Sequence, residues 1–109
     1  MSTISTHVLD TSLGRPASGI SVTLERRGEV IGSGTTDRDG RVSALLNSGQ
    51  KLAPGGHDLI FSVGEYFSRT GREAFYDRIV ISFHVGQASE HYHVPLLLSP
   101  FGYSTYRGS

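Results

Sequence analysis

Alternation of apolar and polar residues with a period of two is the feature that most constrains this fold. Only β-strands place successive side chains on opposite faces of the chain. The alternation runs through residues 4–10, 20–25, 77–85 and 91–99. Turn-forming residues separate these segments, and the 14 glycines suit a chain with many tight turns. The pattern predicts short strands that each present one apolar face to a common core.

The C-terminal stretch, residues 90–109, combines a core face with a polar face. The apolar set is Tyr92, Val94, Leu96 and Leu98, and the opposite set is His91, His93, Pro95, Leu97 and Ser99. A turn at residues 99–102 lets residues 103–106 return as a paired strand, with Ser104 and Tyr106 on one face. Pro95 has no N–H to donate, so it requires a sheet edge, a bulge or an unpaired position.

The remaining chain supplies the other elements of the fold. Residues 4–10 are predicted as the first strand, with Ser5, His7 and Leu9 on the face opposite the apolar one, followed by a turn at 13–16. Further strands are predicted at residues 20–25, 30–36 (an edge strand), 41–42, 58–63 and 77–85, with a loop at 43–56 and a short helix at 64–71. The mixed outer face of residues 77–85 suggests a sheet edge that another subunit covers. Seven or eight short strands and one short helix predict an all-β fold, an antiparallel two-sheet sandwich forming a single domain over residues 1–109.

The composition excludes several functional classes. Ten basic and ten acidic residues cancel, and no basic block is present, so nucleic acid is not an expected partner. The chain has no cysteine, which excludes disulfides and thiolate metal sites. No signal peptide pattern and no apolar run of membrane-spanning length is found, so we expect a cytoplasmic protein without a membrane span.

Two imidazoles and a guanidinium are the candidates for chemistry. His7 has a fixed direction in mid-strand, and Arg41 leaves the tight turn at residues 37–40. By period and exposure alone, His7 could equally be a solvent-facing residue and Arg41 a surface arginine. The His91-Tyr-His93 pair could bind a metal, but zinc requires three or four ligands, and without cysteine His7 or a carboxylate would have to supply the third. The serines Ser99, Ser104 and Ser109 occupy no nucleophile-elbow context. General acid–base chemistry without a metal or another cofactor fits these residues better.

Three segments carry a resemblance to a known family: HVLDTSLGRPASGISVTL near the N-terminus, TTDRDGR in the middle, and HYHVPLLLSPFGYSTYRGS at the end. With these segments the chain resembles the transthyretin-like family that hydrolyses 5-hydroxyisourate in purine catabolism. Transthyretin, the hormone carrier of the same fold, lacks this combination of His, Arg, His and terminal YRGS. The resemblance therefore favours the enzymes over the carrier.

The resemblance implies a transthyretin-like β-sandwich and a catalytic set of His7, Arg41, His93 and the C-terminal Ser109. Substrate would be bound by His7, Arg41, Tyr106 and Ser104, with His91 the less certain member of the histidine pair. An imidazole, of His7 or His93, would activate water, and Arg41 would stabilise the oxyanion. The product would be 2-oxo-4-hydroxy-4-carboxy-5-ureidoimidazoline. The resemblance also implies a homotetramer, a dimer of dimers with its sites in the channel between the dimers.

Two other functions remain open from the sequence. A non-catalytic carrier of a small ligand could use the same channel between dimers. A structural adhesion module would instead leave His7, Arg41 and His93 scattered on solvent faces, where their mutation is silent.

Overall fold

The computed structural model describes residues 3–86 and 90–108. The elements in chain order are β1 (Thr3–Asp10), β2 (Arg15–Pro16), β3 (Ser21–Arg26), β4 (Glu29–Thr35), β5 (Arg41–Val42), β6 (Gly55–Phe61), α1 (Val63–Arg69), β7 (Ile79–Val85), β8 (His91–Ser99) and β9 (Gly102–Thr105). One sheet has the order β2-β1-β8-β9, with β5 also paired to β1, and the other has the order β4-β3-β6-β7. The predicted all-β sandwich with one short helix is confirmed.

The core lies between the apolar faces that the alternation predicted. Leu24 of β3, Leu59 of β6 and Leu96 of β8 are fully buried, as is Phe61 at the end of β6. Removing apolar side chains from water in this way is the main favourable contribution to folding. Since each strand commits one face to the core, its other face remains free for polar residues.

Strand β1 pairs with β8 in parallel, whereas the other strand pairings are antiparallel. The register runs from Thr3↔His91 to Asp10↔Leu98. Directly paired residues lie on the same face of a sheet, so the polar faces of the two histidine-bearing strands merge into one outer surface. This parallel pairing brings the first strand of the chain beside the histidine-bearing strand β8.

Pro95 lies at an interruption in the pairing between β8 and the C-terminal segment. The ladder with β9 reaches Leu96↔Thr105 and stops, and an isolated bridge resumes at His93↔Gly108. Because the C-terminal segment is not paired with β8 at residue 95, that segment does not need the backbone N–H that proline lacks. On the other side Pro95 remains in register with His7 of β1. The sequence left three explanations open: a sheet edge, a bulge or an unpaired position. The structure shows the third, on the side of β8 that faces the C-terminal segment.

Several predicted boundaries are corrected by tertiary pairing. Arg15 and Pro16 were predicted to lie in a turn but form the short strand β2 against Leu9 and Asp10. The predicted loop 43–56 ends early because Gly55 and Gly56 pair with β7, so β6 spans Gly55–Phe61 rather than residues 58–63. Helix α1 begins at Val63 and β7 at Ile79, one and two residues from the predicted starts.

The predicted edge positions of β4 and β7 are confirmed, because these strands flank the second sheet. The turn predicted at residues 86–89 lies mostly outside the described residues. In the two described ranges, no helix has the length and apolar character needed to span a membrane.

Candidate active site

The outer face of the first sheet carries a polar cleft of about 370 Å³ near the start of β1 and β8. Its lining residues are Ser5, Thr6, Arg41, Ser43, His91 and His93. His7 follows Ser5 on the same face of β1 and is paired directly with Arg41 of β5. The structure therefore brings together His7, Arg41 and His93, three of the residues that the sequence singled out.

Arg41 is positioned by the turn that precedes it. The Asp37 carboxylate accepts hydrogen bonds from the backbone N–H groups of Asp39 and Arg41, at 2.9 and 3.0 Å. These contacts, that of Arg41 foremost, lower the pKa of Asp37. Gly40 has a φ of 75°, and a Cβ there would lie 2.4 Å from the Val8 carbonyl oxygen, so the turn can approach β1 only with glycine. The result is that Arg41 is held beside His7.

Both histidines of β8 are hydrogen-bonded to hydroxyl groups of β1. Ser5 Oγ lies 2.8 Å from His93 Nδ1 and 3.1 Å from His91 Nε2. Thr3 Oγ1 is hydrogen-bonded to the other ring nitrogen of His91, Nδ1. The two imidazoles are stacked, with 6.5 Å between their centroids and 15° between their planes. These contacts follow from the parallel register, which pairs Ser5 with His93 and Thr3 with His91.

His93 is half-buried and has an electrostatic environment that disfavours its charged form. Burial, and then the positive charges of Arg41, His7 and His91, lower the pKa of His93 below its ordinary value of 6.5. The imidazole is therefore mainly neutral at pH 7. Because Nδ1 is engaged with Ser5, Nε2 is the ring nitrogen that can act on a bound molecule.

The C-terminal tail lies against His93. The backbone N–H of Gly108 donates to the His93 carbonyl oxygen at 2.8 Å. A Cβ on residue 108 would lie 2.5 Å from Cδ2 of His93, so only glycine allows this approach. Arg107 fixes the tail further through an ion pair with Glu90 at 2.7 Å and a cation–π contact 4.7 Å from the Tyr92 ring centroid. Ser109 lies outside the described residues.

Two other predicted site residues are not brought to the cleft within one chain. Ser104 of β9 is paired with Leu97 and so lies on the outer face. Leu97, however, is four residues away from His93 along β8. At the rise of a β-strand this separation is about 13 Å. Tyr106 lines a different, largely apolar concavity of about 310 Å³, together with Phe83, Tyr92 and other residues.

Sequence reasoning missed the importance of Ser5 and Ser43, which line the cleft, and left His91 uncertain. One signal was available for Ser5, since it shares the outward face of the first strand with His7. Its partner His93 could not be found in this way, because alternation fixes a face but not the neighbouring strand.

Metal binding by this surface was considered from the sequence. Among residues 3–86 and 90–108, no group of three or more His, Cys, Asp or Glu side chains is placed to bind a metal ion. The expectation of a metal-free site remains a prediction.

The fold and the cleft define a small β-sandwich protein with an imidazole–guanidinium site on the outer face of one sheet. Residues 4–108 match the model of the HIUase/Transthyretin family. The chain is 46% identical to the 5-hydroxyisourate hydrolase of Caulobacter vibrioides, over 100% of both chains. It is 44% identical to that of Salmonella typhimurium, covering 97% of this chain and 80% of the relative. This chain belongs to the HIUase/Transthyretin family.

Solved structures show the same fold on both branches of the family. The Klebsiella pneumoniae 5-hydroxyisourate hydrolase superposes with a TM-score of 0.90 at 43% identity, covering 100% of both chains. Sea bream transthyretin, solved with thyroxine, superposes with a TM-score of 0.87 at 26% identity, covering 97% of this chain and 94% of that one. The predicted transthyretin-like fold is thus confirmed, and the sequence is more similar to that of the hydrolase.

Proposed function

We propose that this protein hydrolyses 5-hydroxyisourate to 2-oxo-4-hydroxy-4-carboxy-5-ureidoimidazoline in urate degradation. The observation that carries the proposal is the convergence of Arg41 and His93 on one cleft, with His7 paired directly beside Arg41 on the same face. Relatives that are 41 to 46% identical over nearly the whole chain are 5-hydroxyisourate hydrolases. A cleft with polar walls suits a small, flat and highly polar substrate.

His93 is proposed as the general base. A general base must be neutral at working pH, and the lowered pKa of His93 meets this requirement. Nε2 would take a proton from water as the water oxygen attacks the ring carbonyl carbon. The carbon–nitrogen bond then breaks, and a proton returns to the leaving nitrogen. His7, on the same face, would bind the substrate and is the alternative base.

Arg41 is proposed to bind the substrate and to stabilise the oxyanion that forms during attack. Its guanidinium is permanently charged and presents paired N–H donors that match carbonyl and amide oxygens. The Asp37 turn and the pairing with His7 hold the backbone of Arg41 in place before substrate arrives. A preorganised donor of this kind is worth roughly 10²- to 10³-fold in kcat.

The C-terminal tail and a second copy of the chain would complete the site. The bridge between Gly108 and His93 brings the end of the described tail beside the candidate base, which supports a role for the next residue, Ser109, in contacting substrate. Tyr106 and Ser104 would reach the substrate from another subunit, since neither lines the cleft of its own chain. We therefore propose a homotetramer in which the open outer faces are opposed.

The test is the decay of freshly generated 5-hydroxyisourate, followed by ultraviolet absorbance with and without the protein. His93→Ala should reduce kcat at least about 100-fold, since general base catalysis is typically worth 10²- to 10⁴-fold. The matched control is His84→Ala, which removes an exposed imidazole from β7 of the other sheet. Decay no faster than the blank would refute the hydrolase and leave the small-ligand carrier as the function to test.

A further inference from the structure

We infer that Ser5 and His91 form a proton relay that serves His93 and carries its proton to the protein surface. The inference rests on the proposed function, because a relay has a purpose only if His93 takes up a proton. It assigns roles to two residues that do not themselves act on the substrate. Both are positioning and relay residues rather than catalytic ones.

The relay is a continuous chain of hydrogen bonds across the parallel strands β1 and β8. It runs from His93 Nδ1 to Ser5 Oγ at 2.8 Å, from Ser5 Oγ to His91 Nε2 at 3.1 Å, and from His91 Nδ1 to Thr3 Oγ1. The two ends of this chain differ in exposure, because His93 is half-buried and Ser5 is buried, whereas His91 and Thr3 are exposed. The chain therefore begins at the candidate base and ends at solvent.

Each member can pass a proton without being consumed. In the resting state His93 Nδ1–H donates to Ser5, the Ser5 hydroxyl donates to His91 Nε2, and His91 Nδ1–H donates to Thr3. This arrangement leaves a lone pair on His93 Nε2. When Nε2 takes a proton from water, Nδ1 passes its proton to Ser5 and Ser5 passes its own to His91. The positive charge has then moved from His93 to His91 at the protein surface. As the carbon–nitrogen bond breaks, His93 Nε2–H gives its proton to the leaving nitrogen, and Nδ1 takes a proton back from Ser5 as Ser5 takes one from His91. This return restores the resting state, and the new carboxyl group of the product releases its proton to solvent.

The surrounding charges favour this direction of transfer. Arg41 and His7 lie on the same face as His93 and, with burial, oppose a positive charge there. His91 is exposed, so water screens a charge on its ring more effectively. Glu90, which precedes His91 in sequence, is an anion and is paired with Arg107 on the tail. The other anion near this surface, Asp37, lies beside Arg41. Transfer to His91 thus relieves repulsion at the reacting centre.

The kinetic test compares four variants in the 5-hydroxyisourate assay at low buffer concentration. Ser5→Ala should lower kcat about tenfold, the effect of one net hydrogen bond, and Ser5→Thr should restore it because the hydroxyl is retained. His91→Ala should lower kcat similarly, with KM little changed, and added imidazole should rescue it by carrying protons from solution. His84→Ala, the matched loss of an exposed imidazole, should leave kcat unchanged. Wild-type kcat in His91→Ala at low buffer would overturn the relay.

A second measurement separates failure of the relay from failure of the proposed function. Nitrogen-15 NMR of the His93 ring above its pKa, without substrate, should show the Nδ1–H tautomer in the wild type. Ser5→Ala should shift the ring towards the Nε2–H tautomer, and Ser5→Thr should not. An identical tautomer in wild type and Ser5→Ala would refute the relay whether or not the protein hydrolyses 5-hydroxyisourate. If the tautomer shifts but the wild type is inactive, the hydrogen-bond chain stands and the hydrolase is refuted.

Discussion

Strand β1 carries two polar clusters that differ in almost every physical respect. On its outer face, Ser5 lines the open cleft with Arg41 and His93, and His7 lies beside Arg41, with which it is paired. At its C-terminal end, Asp10 points into the sandwich and is fully buried. One strand thus supports a solvent-accessible cluster of neutral and positive groups and a buried ion pair.

The buried cluster is closed by hydrogen bonds. Asp10 accepts from the Tyr66 hydroxyl and the Ser12 hydroxyl, each at 2.7 Å, and forms an ion pair with Arg72. Burial alone would raise the pKa of Asp10, but the bonds from Arg72, Tyr66 and Ser12 outweigh it and lower the pKa to about 2. Burial and the bond to Asp10 raise the pKa of Tyr66 to about 12. At neutral pH this cluster therefore does not titrate.

The open cluster is arranged in the opposite way. The pKa of His93 is lowered by burial and by positive neighbours, and the cluster contains no anion in direct contact with it among the described residues. The comparison teaches that a buried charge with a full set of partners fixes α1 and the segment after it onto β1. A half-buried imidazole surrounded by positive charge is instead prepared to exchange protons.

The largest expected effect on stability comes from opening the closed cluster. Arg72→Ala would leave the Asp10 carboxylate buried beside Tyr66 without its cation, which we expect to lower the free energy of unfolding by about 3 kcal/mol. Urea unfolding followed by circular dichroism measures the loss. Hydrolysis per folded molecule should stay at the wild-type level. A loss of activity without a loss of stability would contradict the division between the two clusters.

The next largest effect is expected in the open cluster, where a substitution should lower activity and leave stability unchanged. Arg41→Ala removes the guanidinium proposed to stabilise the oxyanion, so kcat/KM should fall roughly 100-fold. Arg41 is exposed, and its loss leaves no buried partner, so the urea midpoint should not change. Arg38→Ala, an exposed arginine of the same turn, is the matched control. Equal activity in the two variants would remove Arg41 from the site.

Acid should weaken the closed cluster in a defined pH range. The folded pKa of Asp10, about 2, lies below the unfolded value of 3.8. Its contribution of about 2 kcal/mol is therefore present above pH 3.8 and lost as the pH falls through 2. Urea unfolding of the wild type and Asp10→Asn from neutral pH to pH 2 tests this, and their stability difference should shrink over that range. A stability difference between the two proteins that does not change with pH would show that the ion pair does not lower the pKa of Asp10.

The smallest effect concerns the contact between the tail and His93. Gly108→Ala places a Cβ 2.5 Å from Cδ2 of His93, so the tail must move away from the ring. We expect kcat to fall about tenfold, equivalent to 1.4 kcal/mol, with little change in stability. Gly102→Ala is the control, because a Cβ there would meet only Ser99 Oγ at 3.7 Å. Unchanged activity in Gly108→Ala would show that the contact between the tail and His93 does not contribute to catalysis.

The sequence was sufficient for most of the fold because burial follows the period-two alternation. Val94, Leu96 and Leu98 face the core, as predicted, and the charged turn before Arg41 forms at the predicted residues. Boundaries were missed where a partner strand extends an element, as at Gly55 and Gly56 against β7. The structural role of Asp10 was missed because its cation, Arg72, is 62 residues away along the chain.

The sequence by itself determined which residues share a face, because side-chain direction along a strand depends only on local backbone geometry. It placed His7 and Ser5 on one face and His93 and His91 on another, and the family resemblance added Arg41 and the tail. Only the tertiary structure decided that these faces are one surface. The parallel register of β1 and β8 joins residues almost 90 positions apart in sequence, as in Ser5↔His93. No local pattern encodes such a pairing, because it depends on how the two sheets bury their apolar faces together.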